Sequence, residues 1–325
     1  MDRDPRYRLG GGTRAVREHV SASATIRRLQ ARFDASRKYP LSDRVRHWSH
    51  TARNWVHFRS VVRPDHVTFL RLVSIYVDPR DERGRYLLKH RGITQSGVTG
   101  SWIAADRLLD PHLCLDIGAN YGEVSLCVRH KDRRLWLFEP NPALLPFLAR
   151  SAASHVDSSA ISVEPMAVGD AAGRATLAVT EGWSGTSSLR ATGSEPTRPV
   201  EVEVTTIDDF LASEDLSGTR ILFKIDVEGF EGQALAGMQA TLQRCAGFAG
   251  IVEFDRSYLE EVDTGNARLT VERLLGYGSC AYVDEDDRLW SFADVEDLPA
   301  HTDIVVCSDP EVLDAIEIPP WARSR

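Results

Sequence analysis

A short apolar segment that runs straight into a glycine-containing turn constrains this chain more than any other feature. The segment Leu113–Ile117 is a candidate buried strand, and the sequence Asp-Ile-Gly-Ala-Asn-Tyr-Gly from Asp116 onward supplies small residues that tolerate a tight turn. The apolar residues Val124, Cys127 and Val128 then recur at helical spacing. Such a strand–turn–helix unit leaves backbone N–H groups free at the helix start. It predicts a binding site at the carboxyl end of a strand.

The residues around this turn favour a ligand that carries positive charge. A dinucleotide-binding loop has glycine at three positions and an acidic residue about 20 positions later. Here Asn120 stands between Gly118 and Gly122 in the place of the middle glycine, and the acid Glu139 ends the next apolar segment. Asp116 would repel a pyrophosphate but suits an amino group or a sulfonium. We therefore expect S-adenosylmethionine rather than NAD, while an ordinary tight turn in an α/β sheet has the same local pattern.

Strand and helix patterns alternate regularly after residue 110, which predicts an α/β fold with a mostly parallel sheet and helices on both faces. The predicted sheet strands cover residues 113–117, 136–139, 161–167, 221–226, 250–254 and 303–307. Alternating residues at 175–180 and 200–204 predict an antiparallel pair around a Gly/Ser/Thr-rich loop at 182–194. A hairpin is predicted to turn at 284–287.

Helix signals fill the segments between these strands. Asn141 is expected to cap a helix that has Pro142 at its first position, with Pro146 as a candidate kink. A short helix is predicted at 207–210, and apolar residues spaced from Phe230 to Leu242 predict one continuous helix. A further helix is predicted at 267–275, and a polar loop at 92–101 is expected between lead-in elements at 67–77 and 102–109.

Length and composition fit one α/β domain with extensions. The chain has 325 residues, of which 42% are hydrophobic, and this is ample for a core. No apolar run approaches the roughly 18 residues of a membrane span, and no secretory signal pattern opens the sequence. The five cysteines form no C-x-x-C pair, so we expect reduced thiols and a cytoplasmic location. The expected divisions are a basic, partly disordered and helical extension at 1–60, lead-in helices and a loop at 61–110, the α/β domain at 111–308 and a tail at 309–325.

The net charge of −8 is distributed unevenly. Residues 1–100 contain 21 Lys or Arg against 9 Asp or Glu, so the rest of the chain is strongly acidic. A basic front joined to an acidic body indicates an anionic partner, docking of the front onto the body, or a solvated charged face. The front contains a predicted basic amphipathic helix at 13–38 and an aromatic stripe at 47–62 that is typical of a core face.

Six short motifs follow one another between residues 113 and 253. They are Cys-Leu-Asp-Ile-Gly-Ala-Asn-Tyr-Gly at 114–122, Phe-Glu-Pro-Asn-Pro at 138–142, Ala-Val-Gly-Asp at 167–170, Gly-Thr-Ser-Ser-Leu at 185–189, Thr-Thr-Ile-Asp-Asp at 205–209 and Lys-Ile-Asp-Val-Glu-Gly-Phe-Glu at 224–231. In this order they resemble the FkbM-type family of S-adenosylmethionine-dependent methyltransferases, and the last motif is the most specific. The resemblance implies a Rossmann-like class I methyltransferase fold that follows an N-terminal helical extension. It also implies methyl transfer, usually to a hydroxyl of a sugar, a glycolipid or polysaccharide, or a natural product.

The same resemblance and the positions of the strand ends give a set of expected cofactor contacts. Asp116 and Glu139 are expected to hold the amino-acid and ribose portions of the donor, since a carboxylate offers two oxygens to a pair of hydroxyls. The resemblance places the glycine loop beside the methionine portion and residues 167–168 beside the adenine. The predicted cofactor-binding residues are Asp116, Gly118, Asn120, Gly122, Glu139, Asn141, Ala167 and Val168.

Catalytic candidates come from the Lys-Ile-Asp-Val-Glu motif. Lys224 and Asp226 share one face of a strand because side chains alternate, so we expect them to pair and to keep Asp226 ionised. With Glu228 they form the predicted catalytic set, and a purely structural ion pair is the alternative. Asp226, Glu253 and Asp255 could supply oxygen ligands to Mg²⁺, but the sequence has no histidine at metal-ligand spacing and we assign no metal.

The sequence is also compatible with other functions. An RNA methyltransferase would use the basic front for phosphate contacts, but the body lacks interleaved aromatic and basic residues, so a nucleic-acid partner is not expected. A non-catalytic protein that only binds the cofactor, or an NAD-dependent enzyme, would fit part of the pattern. The expected acceptor is a small molecule or a glycan, and the sequence predicts neither its identity nor the oligomeric state.

Overall fold

A computed structural model of the chain describes residues 60–180, 182–189 and 197–318. The predicted helix at 13–38 and nearly all of the aromatic stripe at 47–62 lie outside these ranges. The strands are β1 (Val61–Val62), β2 (His66–Phe69), β3 (Val73–Tyr76), β4 (Leu113–Ile117), β5 (Arg134–Phe138), β6 (Ile161–Glu164), β7 (Met166–Val168), β8 (Gly173–Thr180), β9 (Thr197–Thr205), β10 (Arg220–Ile225), β11 (Gly247–Asp255), β12 (Ser279–Val283), β13 (Leu289–Ser291) and β14 (His301–Cys307). The helices are α1 (Glu82–Lys89), α2 (Ser96–Leu109), α3 (Leu145–Ser154), α4 (Ile207–Phe210), α5 (Glu231–Ala236), α6 (Gln239–Arg244), α7 (Arg256–Val262), α8 (Asn266–Tyr277) and α9 (Pro310–Ala315).

The centre of the fold is an eight-stranded sheet in the order β13-β12-β14-β11-β10-β4-β5-β6. The five strands from β11 to β6 run parallel, whereas β14 runs antiparallel between β11 and β12. The predicted α/β fold with a mostly parallel sheet is therefore confirmed, and the predicted hairpin at 284–287 joins β12 to β13.

Strand β4 marks the point at which the strand order reverses. The chain continues from β4 to β5 on one side and later places β10 on the other side. In open α/β sheets, ligands bind in the crevice that forms at the carboxyl ends of strands around such a point. The glycine turn follows β4 directly, so the fold places it at the edge of this crevice.

Helices cover both faces of the sheet because successive strand residues point to opposite sides. In β4, Leu113 and Leu115 pack into one apolar cluster together with Phe223 of β10 and helices α4, α5, α6 and α8. Cys114 points the other way, into a second cluster that includes Trp102 of α2 and residues of α3 and α9. The continuous apolar runs in the central strands are the sequence signature of a sheet that is buried on both faces.

Two smaller sheets flank the main one. Strands β1, β2 and β3 form an antiparallel meander, and β8 pairs antiparallel with β9, as predicted, while β7 pairs parallel with β9. The expectation of lead-in helices and a loop at 61–110 is wrong in part, because this segment opens with three strands. The predicted polar loop at 92–101 is also shorter, since α2 begins at Ser96. In the described ranges, no helix combines the length and the apolar character that a membrane crossing needs.

The helix predicted after the glycine turn does not form. Val124, Cys127 and Val128 surround a single 3₁₀ turn, Ser125–Cys127, and the backbone is extended at Val128. The Ser125 carbonyl accepts a hydrogen bond from Nε2 of His130 at 2.9 Å, and its hydroxyl donates to Asp116. The bond from His130 occupies the Ser125 carbonyl, which would accept a backbone N–H if the helix continued.

The next helix starts later than predicted. Asn141 does not cap α3, which begins at Leu145 after an N-cap at Leu144. Instead, Oδ1 of Asn141 accepts a hydrogen bond from the N–H of Ala143 at 3.0 Å in the preceding turn. Pro146 therefore lies in the first helical turn, where its missing N–H costs nothing, so the predicted kink is wrong.

Two predicted elements are each divided in two. Pro165 separates β6 from β7, because proline cannot donate to the ladder, and β7 then joins the sheet of β9. The predicted helix from Phe230 to Leu242 breaks at Gly237 into α5 and α6. A Cβ at Gly237 would overlap the carbonyl oxygen of Gly169, and the Gly237 carbonyl accepts the Asp208 N–H, so the break is fixed by tertiary contact.

Gly250 offers a test of the central packing. It lies beside Phe223 in the register of β10 and β11, and a Cβ there would overlap the phenyl ring. We expect Gly250→Ala to lower the free energy of unfolding by about 1–3 kcal/mol through overpacking. In a Phe223→Leu background the cost should shrink, because the ring is absent. Urea unfolding of the four proteins measures this coupling, and an equal cost in both backgrounds would contradict it.

Candidate active site

A cavity of about 280 Å³ opens at the carboxyl ends of the central parallel strands. It brings together most of the residues predicted from the sequence, although they come from three strands and three loops. The predicted residues that line it are Asp116, Gly118, Asn120, Glu139, Ala167, Val168, Lys224, Asp226 and Glu228. The structure thus gathers nine of the eleven predicted site residues around one space.

Lys224 holds the two central strands together beneath this cavity. Its Nζ lies 3.5 Å from Oδ1 of Asp116 and 3.2 Å from Oδ2 of Asp226, and it donates to the Gly118 carbonyl at 3.1 Å. The predicted pairing of Lys224 with Asp226 is confirmed. Burial opposes the charge, but the two aspartates outweigh that effect and hold the pKa of Lys224 above its ordinary value. Lys224 therefore stays protonated and acts as a fixed internal cation.

Asp116 is almost wholly buried, with 1% of its surface exposed. Its Oδ2 accepts a hydrogen bond from the Ser125 hydroxyl at 2.5 Å, while Oδ1 faces Lys224. The carboxylate therefore lies in the wall of the cavity with Oδ2 hydrogen-bonded, whereas Oδ1 has only its charge interaction with Lys224. The structure gives it a clear role in fixing the strand–turn junction, beside the predicted role toward a ligand.

Glu139 directly follows β5 and is anchored by backbone amides. Its Oε2 accepts the N–H of Asn120 and its Oε1 accepts the N–H of Asn141, both at 2.8 Å. Burial raises the pKa of Glu139 to about 7, and the two amide bonds oppose the shift. Each carboxylate oxygen keeps a second lone pair. A diol in the cavity could donate to this carboxylate, whose orientation is already fixed by the N–H of Asn120 in the glycine loop.

The glycine loop takes the backbone conformations that its composition allows. Gly118 has a φ of 78°, and a Cβ there would overlap the carbonyl oxygen of Asp226, so the loop touches the turn after β10. Asn120 also adopts a positive φ.

Two predicted contacts do not reach the cavity. Gly122 does not line it, because its Cα faces the side chains of Leu126 and Leu148. Asn141 does not line it either, and acts on the site through the amide that it donates to Glu139.

Three carboxylates converge on the far side of the cavity. One oxygen each from Asp226, Glu228 and Glu253 lies within 4.8 Å of the others. Such oxygens are ligands that Mg²⁺ accepts. Asp255, which the sequence suggested as a third ligand, lines the cavity but lies outside this group, and Glu228 takes its place.

The three groups differ in their protonation. Burial raises the pKa of Asp226, but Lys224 and Arg83 outweigh it, so its pKa lies below the ordinary value. Burial, together with the charge of Asp226, holds the pKa of both Glu228 and Glu253 well above the ordinary value. One ionised acid therefore lies beside two acids that retain protons more strongly.

Glu231 completes the Lys-Ile-Asp-Val-Glu-Gly-Phe-Glu motif but does not line the cavity. Its carboxylate accepts the N–H groups of Val227 and Gly229 at 3.0–3.2 Å and so closes the turn that carries Glu228. Glu228 itself has a φ of 56°, an uncommon conformation for a non-glycine residue. The spacing of the motif therefore has a structural cause, because the Glu231 carboxylate fixes the strained turn that carries Asp226 and Glu228.

Several cavity residues were not predicted from the sequence. They are Arg83 and Gln95 of the lead-in segment, Trp183 and Ser184 of the β8–β9 loop, and Tyr258 and His301 beyond β11. The Gly/Ser/Thr-rich composition at 182–194, which predicts a loop, is a usable signal for Trp183 and Ser184. Arg83 carried no such signal, because nothing in its local sequence links it to the glycine turn.

Comparison with known proteins assigns the family. The model of the methyltransferase FkbM domain matches residues 116–279, about half of the chain. The chain belongs to the FkbM methyltransferase family. The matched segment contains Asp116, Glu139 and Asp226, whereas Arg83 and His301 lie outside it. None of the curated proteins compared with the chain matches it.

Similar solved structures include three methyltransferases. The FkbM methyltransferase of Methylobacillus flagellatus KT is 19% identical, with 61% of this chain and 44% of that chain covered and a TM-score of 0.37. TomG of Streptomyces achromogenes, an O-methyltransferase of tomaymycin synthesis, is 12% identical over 66% and 80% of the two chains, with a TM-score of 0.38. An O-methyltransferase of Bacillus cereus is 8% identical over 66% and 81%, with a TM-score of 0.38. The chain thus spans less than half of the length of the first of these.

Removal of the Lys224 charge tests the structural role of the buried cluster. We expect Lys224→Met to lower the free energy of unfolding by about 3–5 kcal/mol, because Asp116 and Asp226 lose their buried counter-ion. Lys224→Met combined with Asp226→Asn should recover part of the loss. Urea unfolding measures both, and Lys131→Met at an exposed lysine serves as the control. A Lys224→Met loss no larger than that of the control would contradict the role.

Proposed function

We propose that this methyltransferase transfers the methyl group of S-adenosylmethionine to a hydroxyl of a sugar, a glycolipid or polysaccharide, or a natural product. The observation that carries the proposal is the cavity at the strand-order reversal, in which Glu139 and Asp226 belong to the matched FkbM segment. Its acidic lining suits a donor with a sulfonium and an ammonium group, and its ionised Asp226 suits an acceptor hydroxyl.

The donor is proposed to lie along the edge of β5 and β4. Glu139 would accept the two ribose hydroxyls on the lone pairs that the amides of Asn120 and Asn141 leave free. Ala167 and Val168, which are both buried apolar residues of the cavity wall, would border the adenine. The methionine portion would then extend along the glycine loop toward Lys224.

The chemistry requires one carbon–sulfur bond to break and one carbon–oxygen bond to form in line. The sulfonium loses its positive charge, and the hydroxyl proton must pass to a base. Alignment of the two reactants can supply up to about 7–11 kcal/mol of the barrier, and a general base typically adds 10²–10⁴-fold. Asp226, which Lys224 keeps ionised, would accept the hydroxyl hydrogen bond and then take up the proton, with Glu228 of the predicted catalytic set beside it.

Calorimetry with S-adenosylmethionine and S-adenosylhomocysteine is the first experiment on this proposal. Binding of both, followed by methyl transfer to members of a panel of sugar and polyketide hydroxyl acceptors, would support it. Absence of binding to either nucleoside would overturn it. Binding without turnover on any acceptor would favour a non-catalytic cofactor-binding protein instead.

The role of Asp226 can be separated from cofactor binding. We expect Asp226→Asn to lower the single-turnover rate by about 10²–10⁴-fold, because the amide cannot accept the proton. The dissociation constant for S-adenosylmethionine should change by less than about fivefold, or about 1 kcal/mol. Asp209→Asn at an exposed site is the control. Equal losses in rate and in affinity would move Asp226 from the catalytic set to the binding set.

The raised pKa of Glu139 predicts a pH dependence of donor binding. Ribose hydroxyls need an ionised acceptor, and the carboxyl gains a proton below about pH 7, so affinity should fall as the pH falls. We expect the dissociation constant for 5′-methylthioadenosine, which has the ribose but no titrating amino group, to rise up to about tenfold per pH unit below 7. Glu139→Gln should bind weakly at every pH. A flat profile in the wild-type protein would contradict the assignment.

A further inference from the structure

Arg83 enters the cavity from outside the matched family segment. It lies in the first turn of α1, where Asp81 caps the helix by accepting the N–H groups of Arg83 and Gly84 at 3.3 and 3.2 Å. Asp81 also accepts the hydroxyl hydrogens of Tyr121 and Ser184, each at 2.7 Å. A single carboxylate therefore ties the start of α1 to the glycine loop and to the β8–β9 loop, and this fixes where Arg83 points.

Arg83 lines the cavity, and its guanidinium has donors without a hydrogen-bond partner. Its Nη2 donates to Oε1 of Glu123 at 2.7 Å, while its Nε is buried and has no hydrogen-bond partner. A guanidinium carries five N–H donors, and a buried donor without a partner is costly. The side chain is only 14% exposed, so bulk water does not compensate fully. Such a group is prepared for a ligand with a planar pair of acceptor oxygens.

The charges around the cavity leave Arg83 as the available cation. Seven carboxylates line the cavity, against Arg83, Lys224 and His301 among the described residues. Lys224 is engaged by two aspartates and a carbonyl, and Nδ1 of His301 lies 3.3 Å from Asp255. A ligand carboxylate would be repelled by most of these walls, and Arg83 is the one cation with donors to spare.

We propose that Arg83 binds the α-carboxylate of the methionine portion of the donor. This inference rests on the proposed function and adds the residue that orients the amino-acid end. Its place fits, because Glu123 immediately follows the glycine loop, on the β4 side of the cavity, whereas Glu139 marks the ribose end on β5. The carboxylate and the ribose would then be held at two fixed points, with the sulfonium between them.

The test compares two ligands that differ only in the carboxylate. Decarboxylated S-adenosylmethionine keeps the sulfonium and the ammonium but lacks the group that Arg83 is proposed to bind. We expect Arg83→Gln to weaken binding of S-adenosylmethionine by about 10- to 100-fold in calorimetry and to leave binding of the decarboxylated ligand nearly unchanged. Arg83→Lys should retain part of the affinity, since an ammonium can still donate but not as a fork.

Two controls separate this role from a structural one. Arg83→Gln with Glu123→Gln removes the unpaired acid that the single change leaves, and the ligand difference should persist in it. Arg85→Gln changes a half-exposed arginine on the same helix and should alter neither affinity. Equal weakening of both ligands would overturn the proposal, and so would a rise in acceptor KM with unchanged donor binding. If the wild-type protein bound neither S-adenosylmethionine nor S-adenosylhomocysteine, the proposed function itself would fail.

Discussion

The buried ammonium of Lys224 is the interaction on which the rest of the site depends. It joins Asp116 on β4 to Asp226 after β10, and its third bond goes to the carbonyl of Gly118 in the loop. These two strands are neighbours in register, with Lys224 opposite Asp116. Because a buried ion pair is costly to break by removing one partner, the geometry of the loop, the strand and the turn is coupled. Preorganisation of the cavity follows from that coupling rather than from any single residue.

The same ammonium distributes the protons among the cavity acids. It holds Asp226 ionised, and the resulting negative charge adds to burial in raising the pKa of Glu228 and Glu253. When the pKa values of neighbouring acids are shifted in opposite directions, one acid can accept a proton while the others remain protonated at the same pH. The strained turn at Glu228 is part of this arrangement. The N–H of Gly229 donates to the Glu231 carboxylate and so helps to hold Glu228 at a positive φ, which a non-glycine residue rarely adopts.

The sequence predicted the elements whose signals are local and failed where distant contacts decide. Strand β4 was predicted with its observed bounds, since an apolar run ending at an Asp-x-Gly turn is a local pattern. The break at Gly237 was missed, because it depends on the carbonyl of Gly169, nearly 70 positions away. The short turn at Ser125 was missed for another reason, since its carbonyl accepts from the side chain of His130 rather than from a helical backbone N–H. Strand-end acids could be predicted because topology alone gathers them, whereas Arg83 depends on how α1 packs.

The cavity walls come from two parts of the chain, one inside and one outside the segment that matches the family. The cavity residues at the carboxyl ends of the central strands, from Asp116 to Glu253, are here called the floor, and they lie in the segment that matches the family. Arg83, Gln95 and His301 come from outside this segment. Trp183 and Ser184 come from the β8–β9 loop. Loops and added elements change in sequence more readily than a packed sheet does. The floor is thus the part expected to carry the chemistry common to the family. Asp81 fixes the other walls against it, because it accepts hydrogen bonds both from the β8–β9 loop and from the helix that carries Arg83.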